Sequence, residues 1–98
     1  MGWLDWLLLG AAALLGAVII SEVVSYFLDV PSIRQILIQK KASGKLPDAV
    51  KQVCVNSNDG HKVSMSTLIN GQKKDTIELS SNNGVSNQVQ PGMIINID

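Results

Sequence analysis

The sequence predicts an α+β protein built from a single N-terminal transmembrane helix, a short amphipathic helix and a small antiparallel β-meander of barrel or sandwich type. Three observations support this prediction. A long apolar run opens the chain, a Pro-Ser pair and a basic segment follow it, and the last half alternates β-branched runs with glycine-containing turns. These features divide the chain into a transmembrane helix (1–29), a juxtamembrane helix and linker (30–47) and a β-domain (48–98).

The apolar run extends from Trp3 to Leu28 and has no charged residue between Asp5 and Glu22. A helix rises about 1.5 Å per residue, so this run would cover roughly 35 Å, more than the roughly 30 Å hydrocarbon core of a bilayer. Aromatic residues at both ends suit the headgroup level. The run therefore predicts one membrane crossing, with Glu22 as an interfacial or intramembrane acid near its far end.

One face of this predicted helix carries small residues at spacings of three or four. Small side chains let membrane helices approach closely, so this face predicts a helix–helix contact with a second copy or with a partner in a membrane complex. The residues of the predicted interface are Gly10, Ala13, Ala17, Ser21 and Ser25.

A second, shorter helix is predicted from about Ser32 to Ala42. Pro31 suits the first turn of a helix, and Gly44 marks its end. Its basic residues allow two interpretations. The helix either lies on an anionic membrane surface or packs on its own β-domain.

The basic residues of this segment also predict the orientation of the chain. They follow the predicted span, so the positive-inside rule places the C-terminal domain in the cytoplasm. The chain is therefore predicted to be a single-pass protein located in the membrane. The residues concerned are Arg34, Lys40, Lys41 and Lys45.

Beyond residue 48 the pattern is typical of short strands separated by tight turns. The turns are indicated by Asp-Gly, Asn-Gly and Pro-Gly pairs, because Gly and Asn adopt a positive φ at low cost. Antiparallel hairpins are expected between consecutive strands. The five predicted strands are Ala49–Asn56, His61–Asn70, Lys74–Ser80, Val85–Gln90 and Met93–Ile97.

Composition argues against several classes of function. Eight basic and eight acidic residues give a net charge of zero, which does not fit a nucleic-acid-binding protein. The single cysteine, Cys54, cannot form an internal disulfide or a Cys-rich zinc site. Cys54 and His61 flank one predicted hairpin turn, near Asp59, but an inert buried thiol is the favoured interpretation. We therefore expect no catalysis, no cofactor and no metal.

These features favour a non-catalytic accessory or structural subunit of a membrane complex. The small-residue face would assemble it with copies of itself or with a partner, in contact with the lipid bilayer, and the β-domain would bind protein. Two alternatives stay open at this point. One is a pilin-like filament subunit with bundled apolar helices and a β-head, and the other is a small pore or holin-like protein with Glu22 lining a path.

Overall fold

The computed structural model describes residues 17–98, which form one helix and one five-stranded sheet. The sheet order is β1-β4-β3-β2-β5, with β1 parallel to β4 and every other pair antiparallel. The elements in chain order are β1 (Val18–Val24), α1 (Val30–Ala42), β2 (Gln52–Asn58), β3 (Lys62–Ile69), β4 (Gln72–Ser81) and β5 (Ile94–Asn96).

The prediction of a membrane-crossing helix from Trp3 to Leu28 is wrong. From residue 18 this stretch is strand β1 followed by a bend at residues 25–26, and no helix within residues 17–98 is long and apolar enough to cross a membrane. The predicted single-pass membrane location and cytoplasmic C-terminal domain depended on that helix, and they are corrected with it. Residues 3–16 of the predicted span lie outside the described residues.

Strand β1 forms because its residues suit a sheet surface. Five of its seven residues are Val or Ile, and β-branched side chains pack well on a pleated sheet. Ile20 and Glu22 lie opposite Ile77 and Leu79 of β4 on the face that carries the core. A largely apolar run is compatible with either a helix or a buried strand, and pairing with β4 decides in favour of the strand.

The chain beyond β1 continues alongside the segment that follows β4. Leu28 forms an isolated parallel bridge with Val85, and its amide donates to the carbonyl of Gly84 at 3.0 Å. The Leu28 side chain is completely buried. This residue therefore belongs to the core of the domain.

The predicted second helix is present as α1, although it begins two residues earlier than predicted. Asp29 is its N-cap, and its carboxylate accepts a hydrogen bond from the Ser32 amide at 2.9 Å. Pro31 lies in the first turn. Ile33 and Leu37 are fully buried, so the helix packs on its own β-domain, the second of the two interpretations of this segment.

Hydrogen bonds at two carboxylates make the stability of the domain sensitive to acid. The Ser32 hydroxyl and amide hold the pKa of Asp29 below its ordinary value of 3.8. The amides of His61 and Lys62 lower the pKa of Asp59 in the same way. A carboxyl whose pKa is lowered in the folded state contributes its full stabilisation at pH values above its unfolded-state pKa. This contribution is lost as the pH falls through its folded-state pKa.

We therefore expect the wild type to lose stability between about pH 5 and about pH 2 more steeply than a double variant, Asp29→Asn with Asp59→Asn. Asparagine keeps an acceptor oxygen but does not titrate in this range. Thermal melting followed by circular dichroism at a series of pH values measures the slope. Equal slopes for the two proteins would show that these carboxylates do not contribute.

The predicted meander is present in β2, β3 and β4. Asn70 and Gly71 both have a positive φ, as a two-residue hairpin turn between β3 and β4 requires. The other predicted strand of this region, Val85–Gln90, is wrong. It is an irregular segment, and Asn58 binds it by donating hydrogen bonds to the carbonyls of Ser86 and Val89 at 3.0 and 2.8 Å.

The result is an open sheet with a helix on one face, which corrects the prediction of a barrel or sandwich. The short strand β5 returns to pair with β2, whereas β1 pairs with β4 at the opposite edge. The core lies between α1 and the inner face of the sheet. Its largest fully buried residues include Leu28, Ile33, Leu37, Leu46, Met65, Ile77, Leu79 and Ile95.

Candidate interaction site at the β1 edge

Strand β1 is hydrogen-bonded on one side only within the part of the chain that the structure describes. Its partner is β4, and no strand of residues 17–98 lies on its other side. The Val24 carbonyl accepts from the Asn82 amide on the β4 side. Backbone groups alternate in direction along a strand, so Ser21 and Val23 direct their N–H and C=O groups to the open side.

Exposed apolar side chains accompany this open edge. Val18 and Val23 are 51% and 67% exposed, and Tyr26 and Phe27 just beyond the strand are about half exposed. We use the name β1 edge for Val18–Val24 together with Tyr26 and Phe27. Backbone donors and acceptors flanked by apolar side chains can bind another extended chain.

The β1 edge lacks two of the features that usually prevent such pairing. Edge strands are commonly protected by lysine, by proline, by a β-bulge or by an inward-pointing charge. β1 contains no lysine or proline, although its pairing with β4 is irregular between Val18 and Ile20. Its single charged residue, Glu22, lies on the inner face of the sheet. The Lys40 ammonium of α1 is 2.8 Å from Glu22 Oε2.

The contact between Glu22 and Lys40 is an ion pair rather than a directed hydrogen bond. Oε2 is shielded from solvent and has no partner in hydrogen-bonding geometry among the described residues, although the ammonium is within ion-pair distance. Partly exposed pairs of this kind stabilise a fold by only about 0–1 kcal/mol. Its main effect here is to neutralise the one charge on β1.

The predicted helix–helix interface is only partly within the described residues. Gly10 and Ala13 lie outside them. The Ala17 carbonyl accepts from the Thr76 amide, Ser21 is exposed on β1, and Ser25 follows the strand, its carbonyl accepting from the Asn83 side chain. Because Ser21 lies in a strand, Ala17, Ser21 and Ser25 do not share a helical face. A contact of these residues with a second copy or a partner stays a prediction.

The basic residues predicted to lie at a membrane surface contact the protein itself in three of four cases. Arg34 donates to the Asn96 carbonyl at 2.9 Å, and Lys41 lies 3.3 Å from an Asp98 carboxylate oxygen. Lys40 pairs with Glu22, as described above. Lys45 follows α1 and is exposed. These contacts attach the helix to the sheet and to the end of the chain.

The structure does not bring Cys54 and His61 together. Cys54 is buried in β2 opposite Ser66, whereas His61 lies in the turn beyond Asn58. Asn58 lies four positions after Cys54 along β2, a distance of about 13 Å. Asp59 accepts hydrogen bonds from the amides of its own turn. Within residues 17–98 no group of three or more His, Cys, Asp or Glu side chains is placed to hold a metal ion.

A shallow cleft of about 570 Å³ lies beside the turn between β3 and β4. Four of its polar side chains are engaged with each other in two pairs. Gln52 donates to Asn96 at 2.8 Å, and Lys51 lies 3.7 Å from Asp98. Ligand sites usually present converging polar groups in a largely apolar cavity, and this cleft does not. The β1 edge is therefore the stronger candidate.

Sequence reasoning missed the β1 edge because it assigned these residues to a helix. The signal that indicates a strand was present in the same residues. Five β-branched residues out of seven, from Val18 to Val24, favour a strand over a helix.

Comparisons of this chain with protein-family models, with curated proteins and with solved structures find no match.

Proposed function

We propose that this chain is a non-catalytic protein-interaction subunit that binds an extended polypeptide segment along the β1 edge. The observation that carries the proposal is the pair of residues Ser21 and Val23. Their backbone groups face away from β4, and β1 has no neighbour on that side among residues 17–98.

Strand addition supplies both affinity and selectivity. The main-chain hydrogen bonds of the added strand supply affinity, and its alternate side chains contact neighbours on the sheet surface. Exposed Val18 and Val23 favour β-branched or aromatic side chains in the partner. Since Lys40 neutralises Glu22, a segment of low charge is the expected partner.

A proline at position 21 tests the proposal without removing any hydrogen bond to β4. The Ser21 amide faces the open side, and proline is tolerated in edge strands where the missing N–H would face solvent. Ser21→Pro should therefore fold but reject an added strand. Ser21→Ala keeps the amide and is the matched control.

The measurement is photocrosslinking in cells that produce the full chain, with a photoreactive side chain in place of Val23. We expect a defined adduct in the wild-type and Ser21→Ala backgrounds, and about tenfold less in Ser21→Pro, because at least one hydrogen bond and its neighbours are lost. A photoreactive side chain at exposed Ser57 of β2 gives the background level. Equal yields at positions 23 and 57, or no effect of Ser21→Pro, would overturn the proposal.

A further inference from the structure

We infer, on the basis of the proposed function, that the segment bound at the β1 edge is β1 of a second copy of this chain. The two strands would pair antiparallel about a two-fold axis that passes beside Ser21. The sheets of both copies would then join into one continuous sheet with both α1 helices on the same face.

The backbone of β1 favours this arrangement. Both the N–H and the C=O of Ser21 face the open side, so two Ser21 residues on the axis can exchange two hydrogen bonds. In antiparallel sheets such a pair has its Cα atoms about 5.5 Å apart. The central pair is therefore fully hydrogen-bonded.

The side chains of β1 are complementary to themselves in this register. Ile20 of each copy lies opposite Glu22 of the other on the inner face. The pairing of β1 with β4 is irregular between Val18 and Ile20, which places Val18 on the outer face together with Val23. At an irregularity of this kind, one extra residue is inserted into a strand, so two residues of β1 lie opposite one residue of the partner strand. Because of this extra residue, Val23 of one copy lies opposite Val18 of the other. The most exposed apolar side chains of the strand thus cover each other.

Charge disfavours the neighbouring register that has its axis at Glu22. An axis through Glu22 would place two carboxylates directly opposite, which is destabilising. With the axis at Ser21 the two Glu22 residues are diagonal neighbours, about 7–8 Å apart. Each is also held by Lys40 of its own copy. No like charges therefore face each other across the junction.

Two-fold pairing also ends the assembly at two copies. An isologous interface uses the same surface on both copies and leaves no open β1 edge for a third. The other edge strand, β5, has only three residues, so it offers little backbone for further growth.

Disulfide crosslinking of the full chain tests the register. Ser21→Cys is placed in a Cys54→Ser background and oxidised mildly, and Ser57→Cys in the same background is the matched control. A Cα separation of about 5.5 Å suits a disulfide, so we expect most Ser21→Cys chains to become covalent dimers and Ser57→Cys chains to stay single. If Cys54→Ser melts below the wild type, Cys54→Ala serves as the background.

A mixed experiment checks the side-chain pairing. Chains carrying Val18→Cys and chains carrying Val23→Cys should crosslink to each other at least about tenfold better than either does to itself. In sedimentation, Ser21→Ala should retain the dimer and Ser21→Pro should lose it.

The outcomes separate this inference from the proposed function. If Ser21→Cys forms no dimer and the photoadduct at position 23 contains a different protein, the second-copy inference is overturned. The proposed interaction function is then retained. Absence of any Val23 adduct and of any dimer overturns both. A dimer that crosslinks equally at positions 21 and 57 overturns the register.

Discussion

Replacing Leu28 with Asp should abolish the folded state of residues 17–98. Leu28 has no exposed surface and pairs with Val85 beside the core. The change removes about 1.5–3 kcal/mol of apolar burial and places an unpaired carboxylate in the interior, at a cost of several kcal/mol more. A domain of this size is stable by roughly 4–12 kcal/mol, so the sum is comparable with the whole of it. Circular dichroism of the purified full chain measures the loss.

The neighbouring residue supplies the control for this experiment. Phe27 is 51% exposed, and Phe27→Asp should change the free energy of unfolding by about 1 kcal/mol or less. If residues 27 and 28 formed the end of a helix at a membrane surface, Leu28→Asp and Phe27→Asp would change the free energy of unfolding by similar amounts. Similar losses in the two variants would therefore contradict the burial of Leu28.

Replacing Leu37 with Ala should lower the free energy of unfolding by about 2–5 kcal/mol, because a buried leucine loses its contacts and leaves a cavity. Leu37 is fully buried between α1 and the sheet. Alanine is the best helix former, so the helix itself loses nothing by the change. Urea unfolding followed by circular dichroism gives the value.

Ile38 is the matched control for Leu37, since it is the next residue of the same helix and is 38% exposed. Ile38→Ala should cost about 1 kcal/mol or less, because little surface is lost from the core. A loss as large as that of Leu37→Ala would mean that α1 presents a different face to the sheet.

The local elements of the fold could be predicted from the sequence because their signals are local. Pro31 and Gly44 bracket helix α1 within a few residues of its observed ends. The Asn70-Gly71 pair adopts the positive φ values of a hairpin turn, which only a few residue types accept easily. The strands β2, β3 and β4 follow from β-branched runs between such turns.

The candidate site could not be predicted in the same way. An apolar run that ends in Val18–Val24 is compatible with both a membrane helix and a buried strand, and its β-branched residues favour the strand without excluding the helix. The partner of β1 is β4, more than fifty residues later in the chain, so the choice depends on a contact between distant segments. The segment 85–90 shows the same dependence, because Asn58 binds its carbonyls and keeps it out of the sheet.

By itself, the sequence determined one short helix, the tight turns and a central β-meander, since each depends on the backbone preferences of adjacent residues. Only the tertiary structure decided that β1 lies parallel to β4, that Lys40 neutralises Glu22 and that β1 has no second neighbouring strand among residues 17–98. The physical reason is that an edge exists only relative to its neighbours. Whether a strand is central, protected or available for binding is a property of the whole sheet.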